Sequence, residues 1–245
     1  MIPKVIHYCW FGRGKMPALA SKCFESWKTY LPDYKLKLWN EESFDVNSIT
    51  YVKEAYNARK FAFVTDYVRL HALYNYGGIY MDTDVEVIRN MDDLINYPAF
   101  SGFENEVYVP TGIIASEQHG EWTKEQLEYY RDRHFLLPDR TYDLTSNTQI
   151  ISQIMSSNGF VLKNSYQVYN NCMHIFPMDY FCAKSHTGIV TITQNTYCIH
   201  HLAGSWYPLR YKVKRFLFRK IIRPKITDRL VNFKRFVLNK TINNL

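Results

Sequence analysis

The sequence predicts an α/β domain with a parallel sheet, and three observations carry that prediction. Strand, helix and strand patterns follow one another within the first 40 residues, the opening of a βαβ unit. A long helical pattern ends at a Gly-Gly pair and runs straight into another apolar strand. The 245 residues are enough for a sizeable core, with 47% hydrophobic and 22% charged content, ordinary for a globular protein.

The elements follow in order. "KVIHYCW" (Lys4 to Trp10) reads as a buried strand closed by the Gly12 and Gly14 loop. "ASKCFESWKTYL" (Ala20 to Leu31) is amphipathic, with Cys23, Phe24, Trp27 and Leu31 at helical spacing, and Pro32-Asp33 stops it. "YKLKLWN" (Tyr34 to Asn40) alternates apolar and basic residues as a strand does. A second helix is expected over Val52 to Asn57 and a third from Phe61 to Tyr76, ended by Gly77 and Gly78. "IYMDTDVEVI" (Ile79 to Ile88) then reads as one strand, with Tyr80, Asp82, Asp84 and Glu86 on one side. Further along, 99–119 suggests short strands with turns, and Glu121 to Arg133 suggests a helix. Another helix should start at Asn147 behind a Ser146 cap, and 188–208 is β-rich before a sharp turn.

Charge is divided unevenly. From Tyr207 to Leu245 there are twelve Lys and Arg against one acid, Asp228, whereas the first 206 residues hold 18 against 22. A mildly acidic body over 1–206 followed by a basic tail over 207–245 is therefore expected. The tail interleaves its cations with Phe216, Leu217, Ile221, Phe233, Phe236 and Val237, the pattern either of basic amphipathic helices that lie on membrane interfaces or of solvated helices that pack their apolar side on the body. No nucleic-acid recognition motif accompanies this charge, so no nucleic-acid partner is expected. No run of about 18 apolar residues is present, which excludes a predicted transmembrane helix. The start of the chain lacks the pattern of a secretory signal. Five cysteines without metal-ligand spacing read as thiols in a reducing cytosol. The expected location is the cytoplasm, peripheral at the inner face of the cell membrane.

The chemistry is concentrated between Asp66 and Asp84. Two carboxylates at i and i+2 near a strand end form half of an oxygen shell for a hard divalent cation, and leave room for a diphosphate. The bare pattern recurs by chance, as two solvated acids. Asp66 and Arg69 lie on one face of the preceding helix, where an acceptor beside a guanidinium donor grips vicinal hydroxyls.

"FAFVTDYVRLHALYNYGGIYMDTDVEV" resembles the core of the glycosyltransferases with a DxD-containing sugar-binding region (family 32). These include a mannosyltransferase branch, bacterial capsular-polysaccharide sugar transferases and the glucosylating domains of large clostridial toxins. The pattern Asp-x-x-Arg, ten residues, Tyr-x-Asp-x-Asp is matched by Asp66, Arg69, Tyr80, Asp82 and Asp84 with its spacing intact. The opening "IPKVIHYCWFG" is similar to the family's first strand, whose Trp packs on the nucleotide base, here Trp10. "CIHHLAGSW" is similar to its C-terminal motif, which implies diphosphate contacts from Ser205 and Trp206 and a metal contact from His200 or His201, the spacing to Trp206 in the mannosyltransferase branch favouring His200.

The resemblance implies a GT-A fold, a Rossmann-like nucleotide-diphospho-sugar transferase, over 1–206. It implies Mn²⁺ or Mg²⁺ on Asp82 and Asp84, and a UDP- or GDP-sugar donor gripped by Asp66, Arg69 and Tyr80. It further implies a hexosyltransferase that retains anomeric configuration, acting on a glycan or lipid-linked acceptor in bacterial surface polysaccharide biosynthesis. Two alternatives stay open: a haloacid-dehalogenase-like phosphatase, whose nucleophile strand also carries DxD, and a membrane-surface or nucleic-acid binding protein with a degenerate site.

Overall fold

The computed structural model describes residues 1–185 and 187–204. The basic tail, with its proposed boundary at 206, lies outside the described residues.

Strands β1 (Val5–Cys9) and β2 (Lys35–Trp39) pair in parallel around helix α1 (Ala18–Tyr30), as the opening pattern predicts. Helices α2 (Thr50–Asn57) and α3 (Phe61–Tyr76) follow, and α3 leads into β3 (Gly78–Met81), which lies parallel to β1. Gly77 and Gly78 take φ values of +63° and +114°, and a Cβ on Gly78 would stand 2.6 Å from the Val5 carbonyl. Only glycine allows so tight a passage from helix to strand. The same corner explains a histidine in the first strand. Trp39 Nε1 donates to His7 Nδ1 at 3.1 Å, so the His7 proton sits on Nε2 and is donated to the Gly77 carbonyl at 2.7 Å. Burial pushes the His7 pKa down to about 4, so it is neutral at physiological pH.

The rest of the domain adds β4 (Val85–Val87), β5 (Ala99–Gly102), β6 (Ile113–Ser116), α4 (Glu121–Glu128), α5 (Asn147–Ser157), β7 (Gln167–Tyr169), β8 (Met173–Phe176), α6 (Met178–Phe181) and β9 (Cys198–His200). Among the described residues seven strands form one sheet in the order β2-β1-β3-β6-β5-β8-β7, and β4 pairs with β9 in a second, small sheet. The large sheet is mixed rather than purely parallel, because β6 runs antiparallel to both β3 and β5, and β7 to β8. Alternation along its strands divides the core. Tyr80 and Ile114 join one apolar cluster with α3 residues such as Val64 and Val68. Ile79, Met81, Ile113 and Ala115 join another with Cys23, Trp27 and Phe181. Period-two patterning thus places helices on both faces of the sheet.

Two elements differ from the sequence prediction in ways that matter. The expected strand from Ile79 to Ile88 is broken at Asp82-Thr83-Asp84, where Val85 N donates to the Asp82 carbonyl at 3.0 Å and closes a turn. Asp is a poor strand former and a good turn former, so the chain leaves the large sheet there and re-enters a different one. Glu86 is consequently not beside the aspartates; it pairs with Lys22 and with His201, each at 2.7 Å. The helix expected from Glu121 to Arg133 ends at Glu128. By contrast, α5 begins as predicted, with a capping box between Ser146 and Gln149. All five cysteines are free thiols. Among the described residues no helix is long and apolar enough to cross a membrane.

Candidate active site

The site forms beyond the carboxyl ends of the adjacent parallel strands β1 and β3, where Trp10 follows the first and Asp82 the second. Asp82 N still donates to the Gly112 carbonyl at 2.8 Å, so β6 holds the start of the turn in place.

One half of the site comes from α3. Asp66 and Arg69 are both buried, and Arg69 Nη2 stands 3.0 Å from Asp66 Oδ1 and 3.5 Å from Asp82 Oδ1. The guanidinium lies over the Tyr80 ring at 4.7 Å, and the Tyr80 hydroxyl donates to Asp82 Oδ1 at 2.8 Å. Burial works against the Arg69 charge, but Tyr80, Asp82 and Asp66 together keep it protonated. Asp66 is different: burial, with Asp82 adding like charge, pushes its carboxyl up from 3.8 to about 6 in spite of Arg69 and Asn147.

The other half comes from the small sheet. Pairing of Val85 with His200 sets β9 beside the turn. His200 Nε2 lies 3.4 Å from Asp84 Oδ1 and 3.8 Å from Asp82 Oδ2. Burial opposes charge on both partners, yet Asp84 is held ionised mainly by His200, and His200 is held protonated mainly by Asp84. Ala203 N donates to Asp84 Oδ2 at 2.7 Å, and His201 N donates to the Asp84 carbonyl at 2.9 Å. Of the two candidate histidines, His200 therefore faces the aspartates. His201, its strand neighbour, points the opposite way, to Glu86 at 2.7 Å and Lys184 at 3.4 Å.

Asp82, Asp84 and His200 each offer one ligand atom, and these atoms lie within 4.8 Å of one another. Two carboxylate oxygens and an imidazole nitrogen fit a divalent cation of the Mn²⁺ or Mg²⁺ class, with the remaining positions left for substrate oxygens and water. The haloacid-dehalogenase-like alternative calls for a downstream Lys beside the DxD; the cationic groups found against Asp82 and Asp84 among the described residues are Arg69 and His200. Trp10 is half-buried, and its indole N–H donates to the Gly14 carbonyl at 2.5 Å. Ser205 and Trp206 lie outside the described residues.

Three residues at the site escaped the sequence reading. Asn147, the first residue of α5, is 7% exposed; its amide borders the Asp66 carboxylate and draws that carboxyl down, with no hydrogen-bond partner within 3.5 Å. The Tyr130 hydroxyl is also buried without a hydrogen-bond partner, in the field of Asp66 and Arg69. Such vacant donors and acceptors are costly to bury unless a ligand completes them. Gly112 seats His200: a Cβ there would come 2.9 Å from the imidazole ring. No sequence spacing marks any of the three, since each is brought to the site by chain far from the motif.

Residues 17–101 match the family described as "Glycosyltransferase sugar-binding region containing DXD motif", a span that holds Asp66, Arg69, Tyr80, Asp82 and Asp84. Inositol phosphoceramide mannosyltransferase 3 of Schizosaccharomyces pombe is 35% identical over 123 residues, 43% of this chain and 32% of that protein. Inositol phosphoceramide mannosyltransferase 2 of the same organism is 25% identical over 186 residues, 74% of this chain and 54% of that protein. Mannosyl phosphorylinositol ceramide synthase CSH1 of Saccharomyces cerevisiae is 31% identical over 147 residues, 56% of this chain and 38% of that protein. The chain thus spans between a third and about half of the length of these relatives. Among solved structures, a chain titled PaToxG Glycosyltransferase aligns with a TM-score of 0.46 at 17% identity, covering 64% of this chain and 69% of that one.

Proposed function

We propose, for a chain whose residues 17–101 match the DXD sugar-binding region, a metal-dependent transfer of a hexose from a nucleotide-diphospho-sugar to a glycan or lipid-linked acceptor. The observation that carries the reading is the convergence of Asp82, Asp84 and His200 beside the buried Asp66–Arg69 pair. A GT-A arrangement is the fold variant this reading requires, and the mixed sheet with helices on both faces is compatible with it.

Each residue then has a task. Asp82, Asp84 and His200 would hold Mn²⁺ or Mg²⁺, which when bound neutralises charge developing on a departing diphosphate. Asp66 accepts from sugar hydroxyls and Arg69 donates to them, both fixed by α3 so that the sugar is oriented before reaction. The Tyr80 hydroxyl keeps Asp82 Oδ1 engaged, leaving Oδ2 on the His200 side. The amide of Asn147 and the vacant hydroxyl of Tyr130 supply further partners for a polar ligand. Trp10 offers an aromatic face for the base, and Ser205 and Trp206 donors for the diphosphate. Retention of configuration and a role in bacterial surface polysaccharide assembly follow from the family resemblance. The relatives' names make mannose the first sugar to try and inositol phosphoceramide-like lipids the first acceptors. The basic tail would dock such an enzyme on an anionic membrane, each cation contributing about 1 kcal/mol.

The test is a donor-hydrolysis screen over UDP- and GDP-sugars with Mn²⁺. Wild type should cleave at least one donor, lose activity with EDTA, and lose it in Asp84→Asn with the thermal melt preserved. Undiminished cleavage by that variant would sink the metal assignment, and no cleavage of any donor with any divalent cation would sink the transferase reading.

A further inference from the structure

We propose that Thr111 is a positioning residue, whose hydroxyl accepts the Nδ1 proton of His200 and so frees Nε2 to hold a divalent cation with Asp82 and Asp84. The inference rests on the metal-dependent reading above and adds to it a residue far from the DxD motif.

A neutral imidazole carries one ring proton, and the nitrogen that binds a cation cannot be the one that bears it. Nε2 is the nitrogen that faces the carboxylates, at 3.4 Å from Asp84 and 3.8 Å from Asp82. A cation held there therefore requires the proton on Nδ1, and metal-bound imidazoles ordinarily donate that proton to a fixed acceptor. Two groups approach Nδ1. The Gly112 backbone N–H, at 3.3 Å, only donates, and it favours the opposite tautomer. The Thr111 hydroxyl, at 3.2 Å, donates or accepts according to its rotation. The Cys182 thiol also borders the ring, but sulfur is a weak acceptor. Thr111 is thus the group that accommodates both tautomers.

Its place is well determined. Thr111 is 2% exposed, so bulk water does not substitute for its hydroxyl. Thr111 N donates to the Gly102 carbonyl at 3.0 Å, tying the segment to β5. Two residues earlier, Ser152 of α5 both receives the Val109 N–H and donates to the Val109 carbonyl, each at 3.0 Å. The backbone that carries the hydroxyl is therefore held from two sides while the ring of His200 rests on Gly112.

Mn²⁺ binding to the full-length chain, followed by electron paramagnetic resonance, tests the proposal in Thr111→Val and Thr111→Ser. Val keeps the shape but leaves an Nδ1 proton facing only the Gly112 donor. Its Mn²⁺ affinity should fall about 10- to 100-fold with a melt close to wild type, and Ser should restore it. Equal affinity in the Val variant, or a Ser variant no better than Val, would overturn the proposal. A second readout needs no variant: in ¹⁵N-histidine protein under saturating Mg²⁺, Nε2 should carry no proton and Nδ1 should carry one, and a proton retained on Nε2 overturns the proposal as well. If wild type takes up no divalent cation, the metal reading itself falls; if wild type binds Mn²⁺ and the Val variant binds equally, only the role of Thr111 falls.

Discussion

Replacing Asp66 by Asn should stabilise the protein at neutral pH while removing its donor chemistry. The Asp66 carboxyl is raised from 3.8 to about 6, chiefly because burial outweighs the attraction of Arg69. A group whose folded-state pKa is raised favours folding fully below the unfolded value, and loses that contribution as pH rises through the folded value. The window here runs from 3.8 to about 6. Above it, holding the ionised carboxylate costs about 3 kcal/mol relative to its neutral form. Asn has the same shape and no charge, and Arg69 keeps Asp82 and Tyr80 as partners. Wild type and Asp66→Asn should therefore match near pH 4, and the variant should lead by about 3 kcal/mol at pH 8. For a domain of this size that corresponds to about 6–12 °C in melting temperature. Urea unfolding from pH 4 to 8, followed through the buried Trp27, Trp39 and Trp122, measures it directly. A variant no more stable than wild type at pH 8, or a gap independent of pH, would refute the view of Asp66 as a desolvated charge retained for binding.

Three further outcomes are expected. Gly112→Ala places a methyl group 2.9 Å from the His200 ring, so Mn²⁺ affinity should drop about tenfold or more with a loss of about 1–3 kcal/mol in stability; unchanged Mn²⁺ titrations would count against the His200 seat. Asn147→Ala removes a buried amide that draws the Asp66 carboxyl down; stability at neutral pH should fall by no more than about 1 kcal/mol, and kcat/KM for donor cleavage should fall about 10- to 100-fold, as for one or two lost hydrogen bonds. Liposome sedimentation of the full chain against a 1–206 truncation should show binding to anionic vesicles only with the tail, and equal sedimentation would remove the tail as an anchor.

Much of one half of the site was legible because its residues are close in sequence. Asp66 and Arg69 sit one turn apart on a helix, and the Gly-Gly break passes that helix directly into the strand before Asp82. Helical periodicity and the rules for glycine are local, so they survive without a structure. The same locality misled at Asp82-Thr83-Asp84. Alternation across Ile79 to Ile88 suggested one strand, whereas the carboxylate-rich triplet turns and sends Glu86 to Lys22 and His201.

By itself, then, the sequence determined the βαβ opening, the α3–β3 unit, and which acids and cation stand together between Asp66 and Asp84. It favoured His200 over His201 only through spacing to Trp206, and left Thr111, Gly112, Tyr130 and Asn147 unmarked. Those were decided by tertiary structure alone: β9 pairs with a strand more than a hundred residues earlier, and antiparallel β6 carries the Thr111–Gly112 corner to that imidazole. Strand pairing depends on which distant edges can bury their apolar faces together, and the sequence around either edge does not contain that information.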